Sequence, residues 1–187
     1  GTSIARELSR YKLNICVLEK EEESAFGVSK SNSGIIHPGT QNNPHTLKAR
    51  LCVRGNALTR KLSKELGLDF KETGELIVAF NQEEKLRLFQ IKEEARKLGV
   101  PRLRIVDSIW LKENEPNLSS EAVAALYAPT AGIVSPYRMV YGLSENAVKN
   151  GVQIYTQAKV ENIISGSVFE IFTSRGTFKT KYIVNAA

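Results

Sequence analysis

The stretch GTSIARELSRYKLNICVLE, residues 1–19, decides the reading of the fold. Gly1 opens a helix pattern over 1–11 with Ile4, Ala5 and Leu8 on one face. Leu13–Leu18 (LNICVL) is a short apolar, partly β-branched run that ends in charge, as buried parallel strands do. Glu19 stands at its end, close to the roughly 20-residue spacing between a glycine turn and the acid of a dinucleotide-binding unit. A carboxylate there can accept hydrogen bonds from a ribose, and a glycine at position 1 lets helix and strand pack closely. The same order of glycine, helix, strand and acid also fits many other α/β units.

Downstream, residues 19–40 are rich in Ser, Gly and Asn, with Pro38-Gly39 as a turn. Within them SKSNSGIIHPG, residues 29–39, offers small hydroxyl and amide side chains that permit close approach of a ligand. Ile35 and Ile36 are expected to bury, leaving His37 at the edge; a polar turn with a capped histidine is the plainer reading. Thr46–Leu66 returns to helix, with Leu47, Leu51, Leu58, Leu62 and Leu66 near fourfold spacing and Gly67 as its stop. Gly74–Phe80 reads as a strand, Asn81 as the cap of a helix reaching Leu98, Leu103–Val106 as a strand, and Asp107 as the cap of a short helix. A strand at Ala122–Tyr127, the turn PTAG (129–132) and a helix begun by Ser135-Pro136 follow. The tail holds four strand candidates, Val152–Thr156, Lys159–Ile164, Ser167–Thr173 and Thr177–Ala186, whose short Gly-containing loops suggest a β-meander.

The 187 residues are 42% hydrophobic and 25% charged, ordinary globular composition, with a formal charge of +6. The basic residues are interleaved with acids, as in EKLRLFQIKEEARK (84–97), so a nucleic-acid partner is not expected, while an anionic small substrate is compatible. No run approaches the roughly 20 apolar residues that span a bilayer, and the opening does not read as a signal peptide. Cys16 and Cys52 lie far apart in apolar patterns without metal-ligand spacing. Reduced thiols, a buried Cys16, no metal and an intracellular compartment are the expectation.

Taken in order, EKEEESAFGVSKSNSGIIHPG (19–39), TLKARLCVRGN (46–56), TGELIVAF (73–80), GVPRLRIV (99–106), NEP (114–116), PTAGIVSPYR (129–138) and GTFKTKYIVNAA (176–187) closely resemble the glycerol-3-phosphate dehydrogenase and L-2-hydroxyglutarate dehydrogenase branch of FAD-dependent oxidoreductases. The resemblance implies an α/β (overall α+β) chain: a Rossmann-like FAD-binding domain lacking its first strand, with an inserted mixed α+β substrate domain. The divisions would be 1–45 and 140–187 for FAD binding, and 46–139 for a substrate or cap domain with its connecting helix. It further implies a chain cut at both ends that binds FAD poorly alone.

By the same resemblance, Gly1, Glu19, Ser29, Asn32, Ser33, Gly34 and Val160 would contact FAD. His37 would be the catalytic base, imidazole being the side chain that ordinarily titrates near neutrality. Arg138 is a candidate clamp for an anionic substrate, and His45 is expected to be structural or exposed. The implied reaction is oxidation of a small anionic hydroxy-compound, glycerol 3-phosphate first and L-2-hydroxyglutarate second; a non-catalytic nucleotide-binding or assembly module is the alternative of another class. The electron acceptor (quinone, oxygen or a partner subunit) and any oligomer stay open. A cytoplasmic location is expected, with peripheral attachment at the inner face of the membrane as an option.

Overall fold

The computed structural model describes residues 1–187. In chain order its elements are α1 (Thr2–Leu8), β1 (Cys16–Leu18), β2 (Ile35–Ile36), α2 (Leu47–Leu66), β3 (Glu75–Ala79), α3 (Gln82–Lys97), β4 (Arg104–Asp107), α4 (Ser108–Asn114), β5 (Ala124–Ala128), β6 (Gly132–Ile133), α5 (Pro136–Lys149), β7 (Gln153–Tyr155), β8 (Val160–Ile164), β9 (Phe169–Thr173) and β10 (Gly176–Thr180). They form two compact units, one of residues 1–33, 66–68 and 135–187, the other of residues 34–65 and 69–134. No helix is long and apolar enough to cross a membrane.

In the first unit β1 and β7 pair in parallel, Val17 opposite Ile154. Ala5 of α1, Ala147 of α5 and Val152 form a small core, with Ile15, Val17 and Ile154 packed against it. Alternation along a strand sends Cys16 to the other face, so the thiol expected to be buried is exposed. The strand is also shorter than LNICVL: Leu13 is exposed and lies ahead of it. β1 pairs with β7 alone. The meander is real but three-stranded, in the antiparallel order β10-β9-β8. β7, expected as its first strand, instead joins β1, and residues 181–187 carry no strand. Ser135 occupies the N-cap position of α5 without making the capping hydrogen bond.

The second unit is built on the antiparallel sheet β3-β5-β4. The period-2 alternation of β5 divides its side chains cleanly. Ala124 and Leu126 join Ala79 and Leu88 of α3 in one core, while Ala125 joins Val106, Leu111 of α4 and Ala122 in another. Both caps read from the sequence are present, Asn81 accepting from the Glu84 N–H and Asp107 from the Trp110 N–H. β6, not foreseen, pairs antiparallel with β2.

Helix α2 ends at Gly67 as expected, with φ +64, a left-handed conformation that glycine adopts without strain. Its orientation differs from the leucine-stripe reading. Ala49, Asn56, Thr59 and Ser63 are buried, while Leu47, Leu51 and Leu58 are more than half exposed. On this side Asn56 faces backbone carbonyls that need donors, whereas Ser63 Oγ is buried without a hydrogen-bond partner.

Candidate active site around His37

His37 follows directly on β2. Ile35 is 44% exposed, so the buried run expected before the histidine lies after it instead, at Pro38, Gly39 and Thr40. Gly39 has φ +110, and a Cβ there would stand 2.7 Å from Val53 Cγ2, so only glycine lets the chain pass this close to α2.

Asn56 of α2 fixes the backbone. Its Nδ2 donates to the carbonyls of Ile36 (3.2 Å), His37 (3.2 Å) and Thr130 (2.9 Å). Its Oδ1 accepts from Arg60 Nη2 at 2.9 Å, and Arg60 also donates to the Thr130 carbonyl. Arg60 is held in turn by Glu72 at 3.0 Å. The Cys52 thiol donates to the His37 carbonyl at 3.5 Å. Burial raises the Cys52 thiol above its ordinary range, the Glu75 carboxylate raises it further, and the Asn42 side chain and Lys48 partly offset this.

The imidazole is fixed separately. Its Nδ1 lies 2.7 Å from Oε2 of Glu75, whose side chain is 11% exposed against 44% for His37. The other oxygen, Glu75 Oε1, accepts from Thr40 Oγ1 at 2.8 Å. Glu75 heads β3 opposite Ala128. Gly74 before it has φ +76 and sits where a Cβ would come within 2.5 Å of the Tyr127 ring. His37 Nε2 makes no protein hydrogen bond. The arrangement can take a proton at Nε2 while Nδ1 stays engaged.

Glu75, Thr40 and Asn56 were not singled out from sequence, although each left a trace. Glu75 is an acid heading the apolar strand TGELIVAF, and Asn56 is an amide in mid-helix, where asparagine is unfavourable without a partner. His45, as expected, is exposed.

The remaining candidates stand as follows. In the first unit, Gly1 is the exposed N-cap residue of α1, with nothing near the place a Cβ would occupy. Glu19 continues β1: its N–H donates to the Tyr155 carbonyl (2.9 Å), its carbonyl accepts from Ala158 N–H (2.8 Å), and Oε1 accepts from Glu21 N–H (3.0 Å). Ser29 lies in a one-turn 3-10 helix, Val28–Lys30, and its carbonyl accepts from Asn32 Nδ2 at 2.9 Å. Ser29, Asn32 and Ser33 are all exposed. Val160 opens β8 opposite Thr173 and is 42% exposed. Arg138 is exposed in the first turn of α5. On the same helix the Tyr141 hydroxyl donates to the Glu23 carboxylate, which raises the phenol above its ordinary range. In the second unit, Gly34 is buried with φ +68, and its carbonyl accepts from Val134 N–H at 3.0 Å.

Comparison with known proteins places these features. Glycerol 3-phosphate dehydrogenase of Caloramator mitchellensis is 41% identical over 188 residues, covering 100% of this chain and 39% of that protein. L-2-hydroxyglutarate dehydrogenase of Nematostella vectensis is 38% identical over 162 residues, covering 86% of this chain and 35% of that protein. The solved structure of FAD-bound, dithionite-reduced L-α-glycerophosphate oxidase of Mycoplasma pneumoniae superposes with a TM-score of 0.93 at 30% identity, covering 100% of this chain and 50% of that one. The chain thus spans about half or less of the length of these relatives. The pattern of the FAD dependent oxidoreductase family matches residues 1–187, and the chain belongs to that family.

Proposed function

We propose that the protein oxidises a small anionic alcohol, glycerol 3-phosphate in the first place, with FAD as cofactor and His37 as the base. The observation that carries this reading is the His37 ring, half exposed, with Nδ1 engaged by Glu75 and Nε2 unengaged. The names of the relatives supply the substrate class.

The residues present fit the cofactor. Gly1 stands at the start of α1, and Glu19 uses one carboxylate oxygen locally, leaving the other for a ribose hydroxyl. Ser29, Asn32 and Ser33 present exposed hydroxyl and amide groups, a donor set suited to phosphate and ring polar atoms. Gly34 and the Val160 backbone complete the proposed contacts. Bound flavin supplies an acceptor for the hydride leaving the CH–OH carbon. His37 Nε2 takes the hydroxyl proton, and the exposed Arg138 guanidinium is suited to the substrate's anionic group.

L-2-hydroxyglutarate is the second reading, favoured by the 38% identical relative of that name. The relatives include both a dehydrogenase and an oxidase, so the final electron acceptor is a separate choice. A cytoplasmic location goes with the same proposal.

The test is flavin absorbance of the full gene product during anaerobic addition of glycerol 3-phosphate, then of L-2-hydroxyglutarate. Rapid bleaching by the first supports the reading, and bleaching by the second alone transfers it. Flavin bleached by neither refutes the substrate assignment, and absence of flavin refutes the cofactor.

A further inference from the structure

We infer that Glu75 is the positioning residue of the reaction: it selects the His37 tautomer that carries its lone pair on Nε2, and it stabilises the imidazolium formed when that nitrogen takes a proton. The inference rests on the proposed role of His37 as base. A carboxylate has acceptor oxygens only. Its contact with Nδ1 at 2.7 Å therefore requires the hydrogen on Nδ1, which in the neutral ring leaves Nε2 as the basic nitrogen. Glu75 has little freedom to present anything else. Thr40 Oγ1 donates to its second oxygen at 2.8 Å, its side chain is 11% exposed, and Gly74 before it is held against the Tyr127 ring.

The proton balance follows. The substrate O–H bond breaks, the proton forms a new N–H bond at His37 Nε2, and the electron pair of the neighbouring C–H bond leaves with the hydride to flavin. Glu75 gains no proton. It faces a cation after the step where it faced a neutral ring before, so its attraction grows as the reaction proceeds, which is the condition for lowering a barrier rather than merely binding. A histidine without such a partner would sample both tautomers, and the Nε2–H form presents a donor rather than a base to a substrate hydroxyl.

Two measurements on the full gene product test this. The first is the histidine 15N spectrum of the substrate-free protein, which assigns the proton of neutral His37. Nδ1–H is expected in the wild type, and a shift toward Nε2–H in E75A. A wild-type ring protonated on Nε2 overturns the inference.

The second is the rate of anaerobic flavin reduction, per bound flavin, in E75Q, H37A and the double variant. A general base contributes roughly 100- to 10,000-fold, and loss of its orienting partner is expected to remove about 10- to 100-fold of that. In the H37A background E75Q should change the rate by less than about twofold, because Glu75 acts through His37. An equal loss in both backgrounds means a structural role and overturns the inference. A wild-type rate in H37A sinks the base itself, whereas slow H37A with fast E75Q sinks only the role of Glu75. Should E75Q fail to retain flavin, E75D carries the same comparison: it keeps the charge on a shorter arm and is expected between wild type and H37A.

Discussion

Replacing Asn56 by alanine tests whether the backbone around His37 is held as the structure shows. Asn56 is 6% exposed, and its Nδ2 reaches three carbonyls with two hydrogens. Two of those carbonyls keep another donor in the variant, His37 from the Cys52 thiol and Thr130 from Arg60. The cost is therefore about two donated hydrogen bonds and the one accepted from Arg60, rather than three fully orphaned acceptors, roughly 2–4 kcal/mol at a typical 0.5–1.5 kcal/mol each. Asn56→Asp keeps the shape but turns acceptor oxygens toward carbonyl oxygens. Arg60 offsets its charge only in part and leaves the second oxygen against the carbonyls, so the loss should be at least as large as alanine's. Equilibrium urea unfolding of wild type and both variants measures this, followed by Trp110, which packs on Tyr127 at a ring distance of 5.2 Å in the second unit. A loss below about 0.5 kcal/mol for alanine would mean that the clamp is not made. An aspartate variant more stable than alanine would refute the donor assignment itself.

Leu126→Ala, at a fully buried position, should cost about 2–5 kcal/mol, whereas Leu58→Ala, at 51% exposure, should stay within about 0.5 kcal/mol. A large loss at Leu58 in thermal unfolding would mean that this face of α2 is covered in the protein. Cys52 should react slowly with iodoacetamide, because burial and then the Glu75 charge hold its thiol above the usual range. Removing that charge in Glu75→Gln lowers the thiol toward its ordinary value, so more thiolate forms at a given pH and alkylation should speed up. An unchanged rate would place the Cys52 sulfur outside the field of Glu75.

Much of the fold was legible because the signals were local. Asn81 and Asp107 cap where a side-chain oxygen precedes a helix, and Gly67 and Gly99 stop helices with positive φ. What the sequence concealed depended on partners far along the chain. The leucines of α2 have helical spacing, but spacing cannot tell which stripe faces the fold, and here the stripe that buries holds Asn56, which the carbonyls of Ile36, His37 and Thr130 engage. Cys16 sits in an apolar run, yet period 2 sends it to the face opposite Val17. Val152–Thr156 resembles the strands after it, and only the parallel register with β1 separates it from the meander. At the site, His37 was visible through its motif. Glu75 lies 38 positions away, so no window around the histidine contains its partner.

The second unit combines two kinds of cohesion, and the site rests on the weaker one. β3, β4 and β5 carry apolar cores on both faces, whereas residues 34–40 have, besides the buried Pro38 and Gly39, a two-residue pairing, the Asn56 amide and the Thr40–Glu75–His37 chain. Polar ties of this kind contribute about 1 kcal/mol each, so the segment should open locally at a fraction of the global cost. Hydrogen exchange should show the Ile36 and His37 amides exchanging at least about 100-fold faster than those of Ala125 and Leu126. Asn56→Ala should accelerate the first pair at low denaturant by more than the second. Equal acceleration across both pairs would mean that the segment opens only with the whole unit. If it does open alone, a loop of this kind cannot by itself hold an imidazole in one orientation. That leaves the ring's orientation to Glu75, whose strand belongs to the rigid sheet.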